Sequence, residues 1–229
     1  MRALTTIALA AAAILGAATC WGQSFNVDVD AQFGPRSLGI GGPSPLFAGA
    51  AGQLGCWNVI YGANGGPFQL RGLDGRLTPA TYRAWGGVGT GGGWRNPRID
   101  LGEANDDFWL LMGDAGNIGP PEANHQLRPP PPLRVTRFEG LEPGLYEVYT
   151  YAVLPAPPPR YVPVEVTVPG ALTENPQLCT GPMPADWVFR RGVTHAMHRV
   201  FCADGVIEIR LTGPWPNAMV NGFQLKKLK

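Results

Sequence analysis

At 229 residues the chain is long enough for one sizeable β domain or two small ones. Glycine (32) and proline (24) make up about a quarter of it, and helix interiors tolerate neither, which argues against a helical bundle or a long coiled coil. Hydrophobic residues at 45% are enough for a core, while 18 Lys+Arg against 17 Asp+Glu leaves no basic footprint for nucleic acid.

The first element is a secretory signal over residues 1–22. Arg2 supplies the positive start, Ala3 to Ala18 is an apolar run, and small residues follow. That run is too short for a stable membrane span, and nothing later is longer. Cleavage after Ala18 or near Gly22 fits the small-residue requirement. Cys20 invites a lipoprotein reading, but Ala17-Ala18-Thr19 departs from the usual lipid-attachment box, so secretion to the periplasm, cell surface or medium is favoured. Without Arg2 the mature chain is formally neutral, and Lys226, Lys227 and Lys229 read as a solvated basic tail.

Residues 23–229 show no internal repeat and no composition break, so they are read as a single domain. Phe25 to Phe33 alternates apolar and polar, the pattern of a half-buried strand, with Asp28 and Asp30 on the solvent side. A long Gly/Pro/Ser/Ala loop over 34–55 leads to a core strand over Cys56 to Tyr61, closed by Asn64-Gly65-Gly66. Asp74-Gly75 between apolar runs predicts a hairpin whose second strand is Leu77 to Trp85. The segment also fits a short helix with Thr78 as N-cap and Gly86 at its end, but the context favours a strand. Gly86 to Gly93 is an almost pure glycine tip bounded by Trp85 and Trp94. It lacks the Lys-Ser/Thr ending of a phosphate-binding loop.

Asp106 to Met112 fits a core strand or a single helical turn. After Pro129 to Pro132, Leu133 to Phe138 is a strand, and Glu142-Pro143-Gly144-Leu145 has the signature of a type II turn. Leu145 to Val153 is apolar or aromatic on both faces, which marks a central strand covered on both sides. Val162, Val164, Val166 and Val168 alternate as another strand. Val193 to Cys202, Asp204-Gly205 and Val206 to Leu211 read as a hairpin, and Met219 to Leu225 closes the chain. Turn signals every 8–15 residues specify an all-β antiparallel sandwich. Cys179 and Cys202 are paired as a disulfide in this reading, leaving Cys56 as a small buried hydrophobe. No Cys-x-x-Cys spacing is present for zinc.

Several signatures follow one another: Gly55-Cys56-Trp57-Asn58; Leu73-Asp74-Gly75; Phe138-x-Gly140-Leu141-x-Pro143-Gly144-x-Tyr146-x-Val148; and a closing Asn221-Gly222-Phe223-Gln224-Leu225. Their order resembles the galactose-binding-like jelly rolls of secreted bacterial proteins, the superfamily of malectin-like domains and many carbohydrate-binding modules. The resemblance spans most of residues 24–229 and specifies a fold, not a ligand. It implies a non-catalytic module whose partner is a polysaccharide or cell-surface glycan. Aromatics that would stack on sugar rings are Trp85, Trp94 and Tyr82 around the glycine tip, with Trp187 and Trp215 in other loops. The structural calcium often found in such folds would draw on the acidic stretch holding Asp100, Asp106 and Asp107. His195 and His198 are three apart on a strand and point to opposite faces, a poor metal pair. No nucleophile elbow or His-Glu-x-x-His motif occurs. A structural or assembly role in the envelope or matrix is the second reading, and a small secreted hydrolase the third.

Overall fold

The computed structural model describes residues 23–30, 42–61, 64–86, 90–91, 107–113, 115–118, 133–154, 162–214 and 218–229. In chain order the elements are β1 (Phe25–Asp30), β2 (Trp57–Tyr61), β3 (Gly65–Arg71), β4 (Leu77–Trp85), β5 (Thr90–Gly91), α1 (Asp107–Met112), β6 (Ala115–Asn117), β7 (Leu133–Glu139) and β8 (Gly144–Tyr151). They continue with β9 (Val164–Thr167), β10 (Gln177–Cys179), β11 (His195–Cys202), β12 (Val206–Thr212), β13 (Met219–Val220) and β14 (Gly222–Lys227). Two sheets form an all-β sandwich: a five-stranded sheet ordered β11-β8-β14-β1-β2 and a six-stranded sheet ordered β10-β9-β12-β7-β4-β3. A small third sheet is ordered β13-β6-β5. All pairs of strands are antiparallel except β1 with β2.

Period-two alternation builds the core. Phe25 and Val27 of β1, Tyr146 and Val148 of β8, and Phe223 and Leu225 of β14 meet Tyr82, Phe138, Ile207, Ile209 and Val166 of the other sheet. Tyr82, Phe138 and Phe223 pack edge-on or tilted, with ring centroids 5.5–6.1 Å apart. Gly222 permits the tight pairing of β14 with β1, since a Cβ there would lie 2.5 Å from the Val27 carbonyl oxygen.

One amide clamps each seam of the sandwich. On one side, Asn58 of β2 donates to the Arg71 carbonyl of β3 (2.9 Å) and accepts from the Arg71 N–H (2.7 Å). On the other, Gln177 of β10 donates to the Met197 carbonyl of β11 (2.6 Å) and accepts from the Met197 N–H (3.1 Å). Both clamps satisfy backbone groups that an edge strand otherwise leaves open.

β8 is covered on both faces, as its pattern predicts. Its second face carries Tyr149 and Tyr151, which join Trp57, Phe47, Phe108, Phe189 and Trp187 in a satellite cluster. A polar network beneath it ties the 42–55 segment to the five-stranded sheet. Gln224 donates to Asn26 Oδ1 and the Ala48 carbonyl and accepts from the Ala51 N–H, while Gln53 donates to Asn26 Oδ1 and the Phe25 carbonyl.

Several expectations are corrected. Asp28 is buried rather than solvent-facing, because the 42–55 segment lies over that face. Asp204-Gly205 does not close a hairpin: β11 pairs with β8 while β12 pairs with β7 and β9, so the chain crosses between sheets there. Gly144 has φ +150°, whereas a type II turn needs about +80° at that position. Residues 107–112 are helical, and β4 is a strand throughout. Lys226 donates to the Ala51 carbonyl and Lys227 pairs with Glu142 at 2.7 Å, so neither is a free tail residue.

The cysteine pairing is also overturned: Cys56, Cys179 and Cys202 are free thiols. Cys179 Sγ contacts the Thr150 carbonyl at 3.8 Å, and Thr150 is the register partner of Ala196. Cys202 lies six residues further along β11, roughly 20 Å away, whereas a disulfide needs Cα atoms within about 7 Å.

Candidate functional site

The outer face of the six-stranded sheet is built by the alternation of β4. Ala80, Tyr82 and Ala84 face the core, so Thr81, Arg83 and Trp85 must face out. Trp85 is 39% exposed. Its register partner is Val135 of β7, which pairs with Arg210 of β12, which pairs with Thr167 of β9. The next row places Arg83 opposite Arg137, and Arg137 opposite Glu208. A third row on the same face runs from Leu133 through Thr212 and Glu165 to Leu178.

Charge is distributed unevenly over this face. Glu208 makes its short contact with Arg210 (2.7 Å) and lies 3.7 Å from Arg137. Glu139 lies 3.5 Å from Arg137. At these longer distances Arg137 Nε has no hydrogen-bond partner. Arg83 takes part in none of the ion pairs or side-chain hydrogen bonds among the described residues. Arg137 is thus bracketed by Glu139 and Glu208, while Arg83 lies beside it in register and next to the half-exposed indole.

The other sequence candidates fall elsewhere. Tyr82 is 1% exposed, and its hydroxyl accepts from Arg134 Nη2 at 3.1 Å, so it is a core ring that offers no face to a ligand. Trp94, Trp215, Asp100 and Asp106 lie outside the described residues. Asp107 opens α1, and its carboxylate accepts from the Ser44 N–H (2.7 Å) and hydroxyl (2.9 Å). Among the described residues no group of three or more His, Cys, Asp or Glu side chains is placed to hold a metal. Trp187 is half-buried in the satellite cluster and packs edge-on against Phe108 and Trp109. Arg83 and Arg137 were not singled out from the sequence; the signal was present, since Arg83 shares the parity of Trp85 on β4.

Titratable groups elsewhere serve structure. His195 and His198 do point to opposite faces of β11, and both are buried. Burial, with a smaller contribution from Arg191, pushes each down to about 4. The Thr194 hydroxyl meets His195 Nδ1 at 3.1 Å, but it donates to the Arg190 carbonyl and accepts from the Arg190 N–H, so it staples a loop. Burial pushes the Cys179 thiol up to about 12, which makes it a poor nucleophile. At one end of the sandwich a cleft of about 550 Å³ is lined by the 72–79 and 140–143 turns with Gln23 and Ser24. Its two carboxylates are engaged, Asp74 with Arg76 and Glu142 with Lys227. No described helix is long and apolar enough to cross a membrane, which says nothing of strand-based spans.

No family model and no curated protein matches this chain. Solved structures that resemble it include the Bacteroides uniformis beta-glucuronidase (TM-score 0.47, 15% identity), where the likeness covers 90% of this chain and 18% of that one. Bacteroides uniformis beta-glucuronidase 2, covalently bound to cyclophellitol-6-carboxylate aziridine, aligns with TM-score 0.43 and 15% identity over 91% of this chain and 18% of that one. A 4-O-methyl-alpha-glucuronidase with specificity for decorated arabinogalactans aligns with TM-score 0.33 and 11% identity over 64% of this chain and 17% of its own. The chain thus spans less than a fifth of the length of each of these glycosidases.

Proposed function

We propose that this protein is an exported, non-catalytic glycan-binding module, with residues 1–22 as its export signal and residues 23–229 as one binding domain outside the cytoplasm. The galactose-binding-like assignment belongs to the same proposal. The observation that carries it is Trp85, a large ring left 39% exposed on a strand face beside Arg83 and opposite Val135. An indole held rigidly by a sheet presents an apolar face for a sugar ring at little entropic cost, and the flanking polar groups reach its hydroxyls.

A glycan array and an insoluble-polysaccharide pull-down test the reading, each with and without chelator. Trp85→Ala should weaken binding roughly tenfold or more while leaving the melting temperature nearly unchanged. A large fall in melting temperature with no glycan retained by the parent protein would refute it. Leu133 and Leu178, exposed on the same face, favour a second reading in which that face assembles with other protein. Concentration-dependent association abolished by Leu178→Lys would select that reading instead.

A further inference from the structure

The glycan reading leaves the form of the ligand open, and the outer face of β4 narrows it. Ala80, Tyr82 and Ala84 take the core positions, so Leu77, Pro79, Thr81, Arg83 and Trp85 share the outer parity. None of these five is buried. At about 3.3 Å per residue, Leu77 and Trp85 lie about 26 Å apart, the span of about five pyranose units in a linear chain. Both ends are apolar, with Trp85 39% and Leu77 56% exposed. Between them the face is polar: Arg83 is exposed, and Thr81 lies in register between Gln69 of β3 and Glu139 of β7. At the Leu77 end the surface sinks, because Leu77, Thr78 and Pro79 also line the cleft of about 550 Å³. Leu73, Leu141 and Pro143 add apolar lining there, and Ser24 and Glu142 add polar lining. Lys227 holds the Glu142 carboxylate through Oε2, which leaves Oε1 to accept from a hydroxyl.

Resting on the glycan reading, we infer that the module binds an extended stretch of a linear polysaccharide laid along β4, with one sugar ring on Trp85 and a distant unit of the same chain in the cleft at Leu77. A single indole on a flat strand engages one ring. A second contact on the same rigid strand adds to it without a second loss of overall freedom, because both contacts belong to one ligand. A monosaccharide or disaccharide reaches only one end of a track about 26 Å long, so affinity depends on chain length up to about five units.

The experiment is a calorimetric titration of the full chain with cello-, xylo- and manno-oligosaccharides from the dimer to the octamer, and with their parent polysaccharides. In a series that binds, affinity should rise about tenfold or more from trimer to hexamer and then level off. Leu77→Ala, a change at an exposed position, should flatten that rise, and Trp85→Ala should weaken trimer and hexamer alike. Affinity that is flat from the trimer onward, with the polysaccharide still bound and released by Trp85→Ala, would overturn the extended track while the glycan reading stands. A rise with length that is indifferent to Leu77→Ala would overturn the assignment of the track to β4. Binding of no series and no polymer overturns the inference, and the array then decides the broader reading on its own.

Discussion

Acidification should unfold this protein through two buried histidines. His198 faces the core between the sheets, fully buried, and neither ring nitrogen has a hydrogen-bond partner; His195 is buried on the opposite face of β11 against Tyr151 and Phe189. Each is held near 4 in the fold, against an ordinary 6.5 for an exposed imidazole. The unfolded chain therefore binds more protons below about pH 6.5, and stability falls as pH drops from there toward 4. At pH 5 the two-state proton balance gives about 2 kcal/mol lost per histidine relative to pH 8, or about 4 kcal/mol for the pair. That is a large fraction of a typical domain's 5–15 kcal/mol, about the global figure for small folds. Urea unfolding of the parent and of His198→Leu at pH 8 and pH 5 measures it. The variant should show about half the acid loss, and it should be no less stable at pH 8, since leucine fills the site without orphaned nitrogens. An identical pH 5–8 slope in parent and variant would falsify the assignment of the effect to His198.

Three further outcomes are expected. Arg134 is fully buried with Nε and Nη1 unpartnered, so Arg134→Met should be neutral or stabilising in thermal melts, and a loss above about 3 kcal/mol would mean that the guanidinium is paired. Asn58→Leu and Gln177→Leu each strip two bonds from a backbone edge and should cost about 1–3 kcal/mol, measured by denaturant titration; costs below 0.5 kcal/mol, roughly the level of a neutral surface change, would remove the seam-clamp account. Cys56 should react with a thiol reagent in the native protein, while Cys179 and Cys202 should react only on unfolding; native protection of all three would contradict their placement.

Much of the fold was legible because period two survives in β4, β8, β9 and β12, where one face is always core. The same rule separates Tyr82 from Trp85: three residues apart on one strand, they cannot share a face, so grouping them as one platform neglected parity. Asp28 failed for a different reason. A polar side chain on the apparent outer face is buried here by a loop held through Gln53 and Gln224, and no local pattern reports what lies over a strand. Asp204-Gly205 carries every mark of a hairpin turn, yet its flanking strands belong to opposite sheets. Turn chemistry fixes a chain reversal and leaves the choice of partner strand to tertiary packing.

The two outer faces of the sandwich are therefore not equivalent. That of the five-stranded sheet is largely spent on the chain itself: Asn26, Gln53, Gln224 and Tyr151 bond the 42–55 segment and α1 with Phe189 adds an apolar cluster, leaving Arg199 and Phe201 of β11 exposed. Side chains there are satisfied internally, and a ligand would have to displace packed structure to reach them. On the outer face of the six-stranded sheet Val135 of β7 is buried, while its partner Trp85 of β4 stays half-exposed. Beside that ring Arg83 is exposed and makes no ion pair among the described residues. A half-exposed indole on a rigid strand keeps its apolar face for something outside the chain, so partners should be sought around Trp85 before the ring-packed side of the other sheet.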